Sequence, residues 1–184
     1  MPFITTKFPG LLIFEPIIFE DNRGYFFESY NANYFKNSGV DINFIQDNQA
    51  QSEYGVIRGL HYQLAPFAQT KLVRALLGSI LDVVVDLRKG SPTFGQSFSI
   101  ELSASNKKQL LVPKGFAHGY SVLSPTAEVF YKCDSFYNKS AEAGLLYNDH
   151  ALFIDWQIDS AAQIISVKDK VQPTLAHCTN NFTY

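Results

Sequence analysis

The stretch KLVRALLGSILDVVVDL, residues 71–87, carries the clearest structural pattern in the chain. Its apolar residues recur at a period of two, which is typical of β-strands with two different faces. Gly78 and Ser79 divide it into two short strands and predict a hairpin between them. In the second strand the odd-numbered residues 81–87 form an apolar face, whereas Asp82 and Asp86 predict a partly wet opposite face.

Similar short runs, separated by turn residues, extend in both directions from this stretch. The predicted strands cover residues 42–46, 55–63, 71–77, 80–87, 97–102, 109–112, 120–123 and 127–135. One short helix is predicted over residues 31–37, where Ser38 and Gly39 would end it. Many short strands at this spacing predict an all-β sandwich or jelly-roll barrel.

The composition supports one β-rich domain. The chain has 184 residues, and a domain of this size buries roughly 70% of the surface that its unfolded form exposes. Aromatic residues make up 15% of it, and such residues favour pleated, half-buried surfaces. The periodic pattern weakens after Asp155 and Trp156, so a surface tail is predicted from about residue 173.

Several classes of protein are disfavoured. The net charge is −2 and no run of Lys or Arg stands out, whereas a nucleic-acid binder needs a basic surface. No apolar stretch approaches the ~20 residues that cross a bilayer, and the N-terminus lacks the apolar core of a signal peptide. Cys133 and Cys178 are too few for a disulfide framework, so we expect free thiols and a cytoplasmic location.

Ionisable residues recur on faces that should point inward. His61 and Gln63 share one face of their predicted strand, Lys71 lies on the same side as Val73, and Tyr131 lies with Val129. Such residues inside a barrel predict a polar pocket.

A metal site is one use for that pocket, but the residues disfavour it. At least three His or carboxylate ligands would have to converge. The segment Pro113-x-Gly115-x-x-His118 resembles the second half of the cupin metal-binding motif. The first half of that motif needs a His-x-His pair, and here Gln63 stands where the second histidine would be. The ammonium group of Lys71 would also repel a cation.

Proton transfer next to a carbonyl fits the same residues better. His61 has the pKa range of a general base, and Lys71 or His118 could stabilise an enolate oxygen. Tyr131 could return a proton from the opposite side. The chain has no Gly-x-Ser-x-Gly elbow and no phosphate-binding glycine loop. The residues therefore indicate an epimerase rather than a hydrolase.

Longer stretches carry a resemblance to a known family. They are LIFEP (12–16), DNRGYFFESY (21–30), QDN (46–48), RGLHYQ (58–63), KLVR (71–74), SPTFG (91–95), GFAHG (115–119) and YK (131–132). In order and spacing they resemble the dTDP-4-dehydrorhamnose 3,5-epimerase family of deoxysugar nucleotide biosynthesis. The resemblance implies a double-stranded β-helix, which is a cupin-type jelly-roll barrel with a few short peripheral helices, as a single domain over residues 1–184. It also implies a reaction without cofactor or metal.

The resemblance further implies the role of each site residue. His61 would remove the C3 and C5 protons of dTDP-4-dehydro-6-deoxy-D-glucose, with Asp169 as its carboxylate partner. Tyr131 would be the acid on the far face, and Lys71 would hold the enolate oxygen. The implied substrate-binding residues are Arg23, Phe26, Glu28, Gln46, Asp47, Asn48, Arg58, Gln63, His118, Tyr137, Glu142 and Lys168.

Within this set, Tyr137 would stack on thymine, and Glu142 and Lys168 would line the rim. Arg23 and Glu28 would come from a second subunit, so the resemblance implies a homodimer that shares N-terminal residues across its interface. The chain departs from the family at Val167, where a glutamate is usual, and over residues 144–147, which lack the frequent Arg and Trp.

Alternative functions remain open. Relatives with nearly the same residues epimerise only C3 or only C5, and a ketoisomerase, a metal-dependent oxygenase or a sugar-nucleotide binding module would also fit the fold. Arg58 and His61 have opposite parity on one strand, so a regular strand cannot direct both into one pocket. We therefore expect a bulge or other irregularity at Gly59.

Overall fold

The computed structural model describes residues 3–184, which form mostly short β-strands. The strands are β1 Phe3–Thr5, β2 Leu12–Phe14, β3 Phe19–Asp21, β4 Gly24–Phe26, β5 Gln46–Glu53, β6 Val56–Gln63, β7 Lys71–Leu77, β8 Ser79–Asp86, β9 Ser97–Ser103, β10 Gln109–Val112, β11 Phe116–Val122, β12 Thr126–Cys133, β13 Glu142–Gly144 and β14 Ile164–Ile165. The helices are α1 Ala32–Asn37 and α2 Val167–Lys170, with 3₁₀ turns at Lys139–Ala141, His150–Leu152, Ser160–Ala162 and Leu175–His177.

The strands form two facing sheets and a separate hairpin. The first sheet has the order β1-β2-β10-β7-β12-β5, and the second has the order β13-β6-β11-β8-β9. The two sheets are antiparallel, except that β14 pairs parallel to β6. Within residues 3–184, strands β3 and β4 pair with each other and with no other strand. This arrangement confirms the predicted all-β jelly-roll fold with a few short helices.

The interior between the two sheets is apolar at its centre. Val73 and Val129 come from the first sheet, Val84 and Tyr120 come from the second, and all four belong to one buried cluster. Tyr131 packs against this cluster, so the prediction that Lys71, Val73 and Tyr131 share the inner side of their strands agrees with the packing.

The outer face of the second sheet is also buried, which corrects the predicted two-faced character of residues 80–87. Leu81, Val83 and Val85 point outward and are covered by the later part of the chain, including Trp156. Asp82 points inward and is completely buried, as is Asp86, so neither carboxylate is wet. A long C-terminal segment that folds back over the barrel produces this difference, because it converts an outer face into core.

The predicted hairpin at Gly78 and Ser79 is wrong. Strand β7 belongs to the first sheet and β8 to the second, so the chain changes sheets at this corner. Gly78 has a φ of +68°, and a Cβ on it would lie 2.1 Å from the carbonyl oxygen of Thr126. The glycine is therefore required by a close approach of two backbone segments.

The predicted strand over residues 42–46 is also wrong, because the strand in this region begins at Gln46 and ends at Glu53. Its polar sequence QDNQAQSE has low β-propensity. Eight residues nevertheless pair in register with β12, from Gln46 opposite Cys133 to Glu53 opposite Thr126. Pairing with β12 at the edge of the sheet therefore outweighs the low β-propensity of these residues.

The last residues, predicted as a surface tail from about residue 173, lie against the outside of the barrel. Phe182 is buried against Tyr62, whose hydroxyl donates a hydrogen bond to the carbonyl of Thr179 at 2.5 Å. Thr183 forms a bridge to Lys89. Among the described residues, no helix is long and apolar enough to cross a membrane.

Candidate active site

A bulge in β6 directs the basic side chains of Arg58 and His61 into the same cavity. His61 lies opposite His118 and Arg58 lies opposite Tyr120, so two residues of β6 face the single residue Gly119 of β11. Gly59, within the bulge, has a φ of +122°, and a Cβ on it would lie 2.6 Å from the Cα of Gly119. The predicted irregularity at Gly59 is therefore confirmed.

The space between the sheets is a cavity of about 530 Å³. Its walls carry the polar side chains predicted from the sequence as catalytic, and three of the predicted binding residues, Arg58, His118 and Lys168. It is lined by Ala50, Val56, Ile57, Arg58, His61, Lys71, His118, Gly119, Tyr120, Tyr131, Ile164, Ile165, Ser166, Lys168 and Asp169. Residues from distant parts of the chain, 50 to 169, thus meet in one polar pocket inside an apolar barrel.

His61 forms a hydrogen-bonded pair with a buried carboxylate. Its Nε2 lies 2.6 Å from Oδ1 of Asp169, and about one third of the His61 side chain is exposed. Asp169 lies in the short helix α2, which Ser166 caps by accepting a hydrogen bond from the Asp169 backbone N–H. Burial alone would raise the pKa of Asp169, but the hydrogen bonds from His61, Gly59 and Ser166 outweigh it and hold the pKa below its usual value.

A second histidine–carboxylate pair lies on the same sheet. Nε2 of His118 is 2.9 and 3.0 Å from the two carboxylate oxygens of Asp82, and both side chains are buried. The sequence reasoning did not select Asp82. Its signal was present, since Asp82 is a charged residue inside an otherwise apolar strand, and a buried charge requires a partner.

Lys71 and Tyr131 occupy the opposite wall, on β7 and β12. The Nζ atom of Lys71 lies 5.8 Å from the centre of the Tyr131 ring. Burial lowers the pKa of Lys71, which the negative charges of Asp82 and Glu142 partly restore. Burial also raises the pKa of Tyr131 to about 12, so this phenol stays protonated at neutral pH. The cavity thus has a histidine on one sheet and a protonated tyrosine on the other.

Three more predicted residues meet at the rim. The hydroxyl of Tyr137 donates to Oε2 of Glu142 at 3.1 Å, and the other carboxylate oxygen of Glu142 pairs with Lys168. The hydrogen bond from Lys168 lowers the pKa of Glu142. Gln46 contacts this group, because its Oε1 accepts a hydrogen bond from the backbone N–H of Tyr137 at 3.0 Å.

Asn48 lies next to Tyr131, with which it pairs between β5 and β12. Its side-chain amide donates a hydrogen bond to the sulfur of Cys133. Asp47 and Gln63, two other predicted binding residues, are not among the residues that line the cavity. Asp47 has the opposite parity and pairs with Lys132 at 3.0 Å on the outer face of the sheet. Gln63 is buried beside the rim, and its amide is engaged by the protein backbone.

The three N-terminal binding residues lie away from the cavity of their own chain. Arg23 and Phe26 belong to the β3–β4 hairpin, where Arg23 pairs with Asp21 and is 86% exposed. Phe26 is also exposed, and Glu28 accepts a hydrogen bond from Asn31 just before α1. None of them lines the cavity within residues 3–184.

No group of three His, Cys, Asp or Glu side chains suited to holding a metal ion occurs in the part of the chain that the structure describes. The ionisable groups at the cavity instead include two histidine–carboxylate pairs and the cations Arg58, Lys71 and Lys168. That a reaction at this site needs no metal or cofactor stays a prediction.

Comparison with known proteins shows which family the chain resembles over most of its length. Residues 5–177 match the family model described as dTDP-4-dehydrorhamnose 3,5-epimerase. The chain is 49% identical over 170 residues to the dTDP-4-dehydrorhamnose 3,5-epimerase of Shigella flexneri, which covers 92% of this chain and 93% of that protein.

Solved structures agree with the sequence matches. The dTDP-4-dehydrorhamnose 3,5-epimerase of Elizabethkingia anophelis has a TM-score of 0.89 and 50% identity, with 94% of each chain covered. The dTDP-6-deoxy-D-glucose-3,5-epimerase of Legionella pneumophila, solved in complex with dTDP-4-keto-L-rhamnose, has a TM-score of 0.91 and 44% identity, with 95% of this chain and 93% of that one covered. With this fold and these matches over nearly its whole length, the chain belongs to the dTDP-4-dehydrorhamnose 3,5-epimerase family.

Proposed function

We propose that the chain epimerises dTDP-4-dehydro-6-deoxy-D-glucose at C3 and C5 to give dTDP-4-dehydro-L-rhamnose. Family membership supports the substrate class and the reaction. One structural observation carries the chemistry: His61 and Tyr131 line the same cavity from opposite sheets. Inversion of a carbon next to a ketone needs a base on one side and an acid on the other, and this placement supplies both.

The first step is proton removal by His61. A neutral imidazole takes the proton from C3 or C5, and the electron pair of the C–H bond moves onto the C4 carbonyl oxygen to form an enolate. Asp169 supports the imidazolium that forms, because its ionised carboxylate lies 2.6 Å from Nε2. The other ring nitrogen is then the atom that faces the substrate.

The enolate oxygen requires positive charge, which Lys71 supplies from the facing wall. A lysine is seldom buried without a partner, since burial disfavours its charged form. A developing oxyanion would restore that charge, and for this reason we assign Lys71 to the C4 oxygen. His118 would contact the sugar through Nδ1, because Asp82 occupies its Nε2.

The second proton comes from Tyr131. Its raised pKa of about 12 keeps the hydroxyl protonated until the enolate carbon accepts the proton. The phenolate that remains is reprotonated from solvent, and His61 releases its proton to solvent, so each inversion regenerates the starting protonation states.

The nucleotide would lie across the rim of the cavity. Arg58 faces the cavity with its Nε held by Ser52 at 3.0 Å, and a guanidinium group matches pyrophosphate oxygens through parallel N–H donors. The half-exposed ring of Tyr137 would stack on thymine. Gln46, Asn48, Glu142 and Lys168 complete the proposed rim.

A homodimer is part of the same proposal. The β3–β4 hairpin exposes Phe19, Tyr25 and Phe26, each about 60% or more accessible, together with Ile17 just before it. A two-stranded hairpin with an apolar exposed surface is marginal by itself, and such surfaces are typical of interfaces. We infer that this hairpin packs on a second copy and delivers Arg23 and Glu28 to the partner's cavity. The predicted cytoplasmic location stays a prediction.

The reaction is tested by NMR of dTDP-4-dehydro-6-deoxy-D-glucose incubated with the protein in deuterated water. Deuterium at both C3 and C5 is expected. Deuterium at one carbon only would indicate a single-site epimerase. No deuterium from a protein that binds dTDP would exclude an epimerase and favour a ketoisomerase or a binding module.

The shared site is tested by mixing two inactive variants, His61→Ala and Arg23→Ala. In a mixed dimer, one site carries both defects and the other site is intact, because its base and its arginine come from different chains. We therefore expect activity to return after subunit exchange. If the mixture stays as inactive as its parents although mixed dimers form, Arg23 acts within its own chain.

A further inference from the structure

Residues 134–138, here named the Tyr137 segment, follow β12 at the rim of the cavity. The segment has no regular secondary structure, and its Phe136 and Tyr137 side chains are 65% and 55% exposed. Segments with exposed side chains and no backbone ladder are usually mobile. The backbone of this one is instead held by the side chains of three glutamines.

Gln63 makes the central contacts. Its Nε2 donates to the carbonyl oxygens of Phe67 at 2.7 Å and of Phe136 at 3.3 Å, and its Oε1 accepts from the backbone N–H of Asn138 at 2.6 Å. The residue is buried, with 5% of its surface exposed. One amide group thus binds the backbone on both sides of Tyr137 and has both ends of its hydrogen-bonding capacity used.

Two other glutamines extend these contacts to adjacent backbone groups. Gln46 accepts from the N–H of Tyr137 at 3.0 Å, and Gln69 donates to the carbonyl of Ser135 at 2.8 Å. Four consecutive residues of the segment therefore each have one backbone group bound to a glutamine side chain. These glutamines come from β5, from β6 and from the residues just before β7, which are parts of the barrel itself.

The side chain of Tyr137 is held as well. Its hydroxyl donates to Glu142, which pairs with Lys168. Both the backbone and the far end of the ring are therefore restrained while the ring itself stays accessible. A surface aromatic restrained in this way suits stacking on a flat ligand, because less conformational entropy is lost on binding.

We propose that Gln63 is a positioning residue for the nucleobase, which acts by holding the Tyr137 segment rather than by touching the substrate. This inference rests on the proposed function, since it takes Tyr137 as the contact for thymine. It assigns to Gln63 a part in the affinity for the nucleotide and none in the proton transfers.

The test replaces Gln63 by methionine, which is unbranched, similar in length and able to fill the same space without the amide. The Kd for dTDP and the KM for the sugar nucleotide should both rise by about tenfold, the effect of losing one to two hydrogen bonds at the segment. kcat and the rate of deuterium incorporation at saturating substrate should stay within about twofold of wild type. Gln49→Met is the matched control, because Gln49 is exposed on β5 and its side chain donates a hydrogen bond to Glu128, away from the Tyr137 segment.

A double-mutant cycle with Tyr137→Ala separates positioning from general loosening of the fold. If Gln63 acts through Tyr137, Gln63→Met should weaken dTDP binding in the wild-type background but change it by less than about twofold when Tyr137 is already alanine. An equal loss in both backgrounds would overturn the proposal, and so would an unchanged Kd in the single variant.

The remaining outcomes also decide the question. A wild-type protein that neither binds dTDP nor exchanges substrate protons would refute the proposed function, and this inference would fail with it. A wild type that does both, with dTDP affinity unaffected by Gln63→Met, would refute the inference alone. If Gln63→Met does not fold, Gln69→Met releases the same segment at Ser135, and the same cycle with Tyr137→Ala then supports or overturns the proposal.

Discussion

Replacing Asp169 by asparagine tests the assignment of the base most directly. The change keeps the shape of the side chain but removes the negative charge that lies 2.6 Å from Nε2 of His61. A charge-assisted hydrogen bond is worth about 1.5–3 kcal/mol, and two unit charges 4 Å apart interact by about 4 kcal/mol at an effective dielectric constant of 20. Because one third of the His61 side chain is exposed and solvent screens the pair, we expect a loss of about 2–3 kcal/mol in support of the imidazolium.

That loss corresponds to proton removal that is slower by about 30- to 150-fold. The assay is the initial rate of deuterium incorporation at C3 and C5, followed by NMR with saturating substrate. Both carbons should slow by a similar factor, because one base serves both. Asp159→Asn is the control, since Asp159 is an exposed residue whose side chain does not cap its own 3₁₀ turn.

A folded Asp169→Asn protein that exchanges both protons within about threefold of the wild-type rate would refute the role of this carboxylate. Slowing at only one carbon would refute the single base. Circular dichroism and dTDP binding show whether the variant is folded, so a rate loss is not mistaken for unfolding.

Three other variants test separate parts of the site and the fold. Tyr131→Phe should retain deuterium exchange at the carbons and lose inversion at one or both, as judged from product stereochemistry, because it removes the second acid and leaves the base. Lys71→Met should abolish turnover and raise Tm by about 2–4 °C, since removal of a partly buried charge gains about 1 kcal/mol in a chain of this size. An unchanged or lower Tm would contradict the argument that the charge is costly in the folded state. Burial alone would raise the pKa of Asp86, but hydrogen bonds from Arg88, Ser91 and Thr93 outweigh it and hold that pKa below its usual value. Because the folded pKa lies below the unfolded value of about 3.9, the stabilisation is complete above that value and is lost as pH falls through the folded pKa. The difference in free energy of unfolding between wild type and Asp86→Asn should therefore be constant above about pH 5 and shrink near pH 3, which urea denaturation at several pH values measures.

The strands with regular alternation were predictable from the sequence, and their faces were partly so. Residues 71–77 and 109–112 form strands with the predicted bounds, because a period of two is a local property of the chain. The inner placement of His61, Lys71 and Tyr131 followed from the same parity. The irregularity at Gly59 was expected because Arg58 and His61 have opposite parity on one strand, although the family resemblance assigns both to one pocket.

The contacts that the site residues make were harder to predict from the sequence. Asp169 belongs to a four-residue helix far along the chain, and only the family resemblance marked it. Asp82 was visible as a charge in an apolar strand, but its contact with His118 depends on the pairing of β8 with β11. The family resemblance implied that Gln63 binds the substrate, whereas in the structure its amide binds the Tyr137 segment.

The sequence by itself determined the strand periodicity, the all-β class and the residues able to transfer protons, because these depend on residue types and their spacing. Only the tertiary structure decided which strands pair, that the chain changes sheets at Gly78, that the polar stretch of β5 forms a strand, and that the C-terminal segment covers the outer face of the second sheet. These features arise from contacts between residues far apart in the chain, whose free energy outweighs local preference and leaves no periodic trace in the sequence.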